Sequence, residues 1–291
     1  MSALSRPHSR RSRWLRRLGL YGGIYLVLVM GAFFGGCADR LLLFPQVGEV
    51  MPPVAQAREI PFEQGKLQFW IATPPGNQTP EAFLLVFNGN GDRAEYAVTG
   101  AASFWNAHPV EVWAANYPGY GGSTGPAKLN RLGPAGLAAY DALQHHAGDR
   151  PIIVFGNSLG TTVALHIAAN RNPAGLILMN PPPLRQMILG RFGWWNLWLI
   201  AGPVAMAVPS DLNSIANADA AKMPAVFILS LRDSVVPYAW QKRVMTAYTG
   251  PIQLVEADAD HNDVAPLQTQ AELREKIAWL YDQVTTTRGD Q

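Results

Sequence analysis

The chain has 291 residues, of which 48% are hydrophobic and 15% charged. That balance excludes a disordered polypeptide and suits one medium α/β domain with an appendage. The formal net charge of +2 is unevenly spread. Arg6, Arg10, Arg11, Arg13, Arg16 and Arg17 lie in the first seventeen residues, which hold no acid; without them, 17 basic residues face 21 acidic ones, a net −4. The body therefore carries no basic field for nucleic acid. A single cysteine, Cys37, excludes an intrachain disulfide framework and a cysteine-based zinc cluster.

Residues 1–40 read as a basic leader followed by an anchor or signal segment. From Leu18 to Ala38 run 21 residues without a charge, enough for a helix of about 30 Å, one hydrocarbon core. The arginines precede this run, so the positive-inside rule expects a cytoplasmic N-terminus and a main body outside the cytoplasm, at a bacterial inner membrane or in the periplasm. Two alternatives stay open. Gly35 and Gly36 before Cys37 fit a cleaved signal peptide, and Phe34-Gly35-Gly36-Cys37 resembles a lipoprotein box in which Cys37 is lipidated. The pairs Gly19/Gly23 and Gly31/Gly35 have the G-x-x-x-G spacing of close-packed membrane helices, which chance also produces in so glycine-rich a run.

Residues 41–291 read as one domain. Segments 58–62 and 66–72 form an expected strand pair around Gly65. Apolar runs then alternate with helical spacing: strand Ala82–Phe87, helix Arg93–Ala107, strand Val110–Ala115, helix Leu132–His146. The series continues with strand Ile152–Phe155, helix Leu159–Asn170 and strand Leu176–Met179. After an interruption it resumes as strand Ala225–Ser230, helix Tyr238–Tyr248, strand Ile252–Val255 and helix Leu267–Gln283. Continuous apolar strands between amphipathic helices predict an α/β fold with a mainly parallel sheet covered on both faces. The interruption, about 181–222, reads as a helical cap. Trp194, Trp195 and Trp198 make it a candidate substrate pocket, the alternative being aromatics that simply pack on the sheet.

Gly156-Asn157-Ser158-Leu159-Gly160 is a G-x-S-x-G motif between an apolar strand and a helix, the setting of a nucleophile elbow. Glycines flank the serine because the turn leaves no room for a Cβ, and the helix dipole behind it favours developing negative charge. A serine needs a base, and the base an orienting acid. His261, after the last strand, is the candidate base. Asp233, after strand Ala225–Ser230, is the candidate acid, because Asp258, Asp260 and Asp263 share the histidine's own loop. The chain order Ser, Asp, His is that of α/β-hydrolases. A tetrahedral intermediate needs an oxyanion hole. The backbone N–H of Leu159 and that of Asn90, in the turn Asn88-Gly89-Asn90-Gly91-Asp92, are the candidate donors. The other five histidines lack a matching context. No ligand cluster suggests a metal, and the chemistry calls for no cofactor.

From about residue 58 to 283 these motifs resemble the α/β-hydrolase superfamily. The likeness is strongest to its branch of small membrane-anchored serine hydrolases with an N-terminal span and an HGN-type turn. That branch carries a D-Y-x-G-Y-G-x-S-x-G segment, matched by Asn116-Tyr117-Pro118-Gly119-Tyr120-Gly121-Gly122-Ser123-Thr124-Gly125. Asn88 stands where the family has His, and Asn116 where it has Asp; neither change removes a backbone donor. The resemblance implies hydrolysis of carboxylic esters, lipid esters or thioesters. The expected partners are a small or lipid-like ester and the membrane. An amidase or peptidase on the same residues, or a catalytically silent binding module, are the alternatives.

Overall fold

The computed structural model describes residues 9–286 apart from residues 35, 49, 53–54, 75, 77, 197 and 264–265, and gives the backbone alone for residues 9–13, 28, 30, 32–34, 37 and 196. Eight strands form one sheet in the order β1-β2-β4-β3-β5-β6-β7-β8. They are β1 (Gln56–Phe62), β2 (Gly65–Ala72), β3 (Ala82–Phe87), β4 (Val110–Ala115), β5 (Ile152–Asn157), β6 (Gly175–Met179), β7 (Ala225–Ser230) and β8 (Ile252–Ala257). The hairpin β1–β2 adds antiparallel to β4; β4, β3, β5, β6, β7 and β8 run parallel. Every residue of β3, β4 and β7 is buried. The reason is visible in β3, where Phe83, Leu85 and Phe87 enter one core cluster while Ala82, Leu84 and Val86 enter the other. A strand with helices on both faces must be apolar at every position.

The helices of the body are α3 (Ala94–Phe104), α4 (Leu129–Ala147), α5 (Leu159–Asn170), α9 (Tyr238–Ala247) and α10 (Leu267–Thr286). α3 and α10 cover one face; α4 and α5 cover the other. Between β6 and β7, α6 (Leu184–Phe192), α7 (Ala201–Ala207) and α8 (Ser214–Ala220) form the expected insertion, with short 3-10 turns at Trp194–Asn196 and Ser210–Leu212.

The leader departs from expectation. α1 (Ser9–Phe34) takes the described arginines into its own first turns, and α2 (Cys37–Leu42) follows after Gly36. Gly36 adopts φ 68°, the left-handed region that ends a helix and suits glycine. The uncharged run 18–38 is thus divided between two helices. Among the described residues no helix is long and apolar enough to cross a membrane, so the expected span is not found there. The lipidation reading and the Gly31/Gly35 spacing depend on Gly35 and on the Cys37 side chain, which lie outside the description, as does Arg6. α1 rests on the insertion, where the Tyr25 hydroxyl donates to the Leu199 carbonyl at 2.7 Å.

Candidate active site

The site lies at the C-terminal edge of the parallel strands. β5 ends in Asn157 and α5 starts at Leu159, so Ser158 occupies the sharp corner between them with φ 49° and ψ −115°. That conformation is costly for a residue with a Cβ and is held by its surroundings. The Ser158 N–H donates to the Met179 carbonyl at 2.8 Å, and its own carbonyl accepts from the Thr161 N–H at 2.9 Å and the Thr161 hydroxyl at 2.7 Å. The glycines of the motif are required by space. A Cβ on Gly160 would come within 2.1 Å of the Phe87 carbonyl oxygen, and one on Gly156 within 2.6 Å of Gly160.

The structure brings the three expected side chains into one hydrogen-bonded line. His261 Nε2 lies 3.1 Å from Ser158 Oγ, and His261 Nδ1 lies 2.6 Å from Asp233 Oδ2. The Asp233 side chain is 0% exposed, a position an ionised carboxylate tolerates only when fully hydrogen-bonded. Its Oδ1 accepts from the N–H groups of Val235 at 2.9 Å and Val236 at 2.7 Å, and its Oδ2 from Gln241 Nε2 at 3.0 Å. The histidine loop is fixed separately. Asn180 Nδ2 donates to the His261 carbonyl at 3.3 Å.

Asp260, the nearer carboxylate in sequence, makes its hydrogen bonds with groups other than the imidazole. Its Oδ1 accepts from the N–H groups of Ser234 and His261, both at 2.7 Å, and from the Ser234 hydroxyl at 2.9 Å. The backbone donors of Ser234 and His261 hold its carboxyl below the usual carboxylate range. Asp260 therefore stitches the acid loop to the base loop.

Leu159 is the first residue of α5, so its N–H has no partner within the helix. Asn90 sits in the turn after β3, and its side chain is committed elsewhere. Oδ1 accepts from the Phe44 N–H at 2.9 Å and the Tyr120 hydroxyl at 3.0 Å; Nδ2 donates to the Leu42 carbonyl at 2.6 Å. The segment that leaves the leader is thus bonded to the expected oxyanion turn. Burial raises the Tyr120 hydroxyl to about 12, so it stays a neutral donor there.

Asn116 is bound as an amide. Its Oδ1 accepts from the Ala94 N–H at 2.9 Å, while Nδ2 donates to Gln68 Oε1 at 2.9 Å and Glu95 Oε2 at 3.1 Å. Glu95 is buried and paired with Arg93. An aspartate at 116 would have no proton to give it.

Trp194, Trp195 and Trp198 stand 69%, 60% and 51% exposed. They lie on the insertion, in and just after the 3-10 turn Trp194–Asn196, with Trp198 at φ 60°. Gln241, Asn180 and the Asp260–Ser234 clasp are the residues sequence reasoning missed. Asn180 carried a signal, as a polar residue closing an apolar strand ahead of Pro181. Gln241 carried none, since it lies in the middle of α9.

A twisted parallel sheet with a serine on a strand–helix corner, faced by a histidine and an aspartate from the last two strand ends, defines the α/β-hydrolase class. The sequence profile of the alpha/beta hydrolase family matches residues 83–281. The chain belongs to this family. It is 28% identical over 235 residues to an uncharacterized protein of Mycobacterium tuberculosis, covering 77% of this chain and 80% of that protein. Its fold is similar to that of the esterase Pf2001 of Pyrococcus furiosus, with a TM-score of 0.61, 16% identity, and coverage of 84% of this chain and 99% of the other. It is likewise similar to Est1E of Butyrivibrio proteoclasticus, solved with ferulic acid bound, with a TM-score of 0.62, 18% identity, and coverage of 78% and 99%.

Proposed function

We propose that the protein is a serine hydrolase of carboxylic esters or thioesters, acting through Ser158, His261 and Asp233 and held at a membrane by its first forty residues. The observation that carries this reading is the hydrogen-bonded line from Asp233 through His261 to Ser158. His261 Nε2 takes the proton from Ser158 Oγ as that oxygen attacks the carbonyl carbon, while Asp233 holds the Nδ1–H and stabilises the imidazolium. The N–H groups of Leu159 and Asn90 receive the oxyanion. His261 then passes the proton to the departing alcohol or thiol, leaving the acyl group on Ser158. Water, deprotonated by the same imidazole, attacks the acyl-enzyme; the acid leaves and Ser158 regains its proton. Esters are favoured over amides because an alkoxide or thiolate leaves more readily than an amide nitrogen. One protein of similar fold, Pf2001, is named an esterase.

The membrane setting draws on residue chemistry. Leu18, Leu20, Ile24, Leu26 and Val27 of α1 are exposed, as are the three tryptophans of the adjoining insertion. Such side chains beside arginines suit a headgroup boundary. The sidedness rests on the arginines that precede the uncharged run, which by the positive-inside rule favour a body outside the cytoplasm.

Labelling with a fluorescent fluorophosphonate tests the hydrolase reading. The wild type takes the label and Ser158→Ala does not; an unlabelled wild type instead fits a silent binding module. Protease added to spheroplasts tests the topology, and a body that resists digestion until lysis contradicts it.

A further inference from the structure

Beside the nucleophile, between the sheet and the α3–α10 layer, lies a cavity of about 250 Å³. Val86, Phe155 and Ile177 form its sheet side, Phe104 and Leu273 its helical side. It exists because α3 presents small residues here; a Cβ on Gly100, in its wall, would meet nothing within 4 Å. Protein interiors are otherwise close-packed, and an apolar void is destabilising.

One end of this cavity is polar, formed by Asn88, Asn157 and Asp92; Asp92 Oδ1 accepts from the Arg93 N–H, and burial raises its carboxyl above the usual range. Asn88 is 3% exposed, and among the described residues its Nδ2 finds no partner; the same holds for Asn157 Oδ1. Unpaired buried donors and acceptors are rare because each costs its full desolvation. This end adjoins the reaction centre. Asn157 precedes Ser158, and Gly89, next to Asn88, comes so close that a Cβ there would lie 3.7 Å from Ser158 Cβ. Polar groups next to the turn that carries Ser158, with an apolar interior beyond them, match a carbonyl carrying an alkyl tail.

We infer that this cavity, rather than the tryptophan-bearing insertion, receives the acyl chain of the ester, with Asn88 and Asn157 meeting polar substrate atoms at its polar end. The inference rests on the serine hydrolase reading and adds the substrate class. The acyl part is assigned because it stays bonded to Ser158 through both half-reactions, whereas the alcohol leaves after the first. A cavity of about 250 Å³ has room for an alkyl tail of medium length. The preferred substrates are medium-chain acyl esters or thioesters.

The test compares Gly100→Phe and the milder Gly100→Ala with wild type on p-nitrophenyl esters from acetyl to palmitoyl. The wild type should peak near octanoyl. Filling the cavity should lower the octanoyl-to-acetyl ratio of kcat/KM about tenfold or more in Gly100→Phe, and less in Gly100→Ala, since misfit in an apolar pocket acts on the matching chain. Calorimetry of octanoate on Ser158→Ala protein should register binding that the added Gly100→Phe abolishes. A ratio unchanged in both variants, or an equal loss at every chain length, overturns the assignment. If the wild type neither labels with fluorophosphonate nor cleaves any ester, the hydrolase reading fails instead, and octanoate calorimetry then decides the cavity by itself.

Discussion

Asp233 is gripped by more groups than the imidazole it serves. Two backbone N–H groups and Gln241 share its oxygens, so the carboxylate arrives at His261 in a fixed orientation. Ser158→Ala and His261→Ala should each cut kcat by up to about a million-fold, with little added by combining them, because the three residues act as a unit. Asp233→Asn should cost about ten-thousand-fold through the wrong imidazole tautomer. Gln241→Leu is the subtler case. Gln241 touches no reacting atom, and its loss should lower kcat about ten- to a hundredfold by misplacing the carboxylate, with KM unchanged. Steady-state kinetics on one ester series separates these outcomes; a Gln241→Leu effect confined to KM removes its positioning role. Ser158, Asp233 and His261 stand out as candidates in the sequence because each sits where a strand runs out, in a fixed chain order. Gln241 and the Asp260 clasp were not legible. Their roles come from contacts between separate loops, and a lone glutamine within a helix has no pattern of its own.

At the scale of elements, the parallel strands were readable to within a residue or two, since burial on both faces leaves an unbroken apolar run. The helix α4 was read three residues short. Its first N–H, on Leu129, is met by the Asp39 carboxylate at 2.8 Å, a cap contributed from 90 residues away that no local signature announces. In the leader the absence of charge points to one continuous segment, while the Gly35-Gly36 pair, a helix-stop signal, marks where it divides. The exit from the leader reaches the site through Asn90, which binds Leu42 and Phe44, while Leu43 is buried in the core. The insertion is tied to the acid loop by Arg191, which donates to the carbonyls of Val235 at 2.8 Å and Ser234 at 3.0 Å. Asn116 joins β2 to the start of α3. Asn116→Asp removes the amide donor to buried Glu95 and sets two carboxylates together. The expected cost is about 1–3 kcal/mol for the unmet buried group, read as a melting temperature lower by several degrees. An unchanged melting temperature would mean that Glu95 recruits another donor.

Over the whole molecule, pH acts through groups that folding has moved. His166 is buried between α5 and α4, and burial lowers its affinity for a proton, with neighbouring Arg171 acting the same way against the pull of Asp211. The unfolded chain then binds that proton more readily. Stability from a neutral His166 is complete above the unfolded value of about 6.5 and is lost as pH falls through the lower folded value. Melting curves should therefore move down between neutral and mildly acid pH, and His166→Gln should flatten that slope; an equal slope in both proteins assigns it to other groups.

The central claim is that Ser158 carries the acyl group between two half-reactions. Rapid mixing of the enzyme with p-nitrophenyl octanoate, quenched in acid within the first turnover and followed by peptide mass spectrometry, reads this directly. The account predicts an octanoyl adduct on the peptide containing Ser158, formed with a burst of nitrophenol and absent in Ser158→Ala. Turnover of the ester with no adduct on that peptide, or with the adduct on another residue, would contradict it.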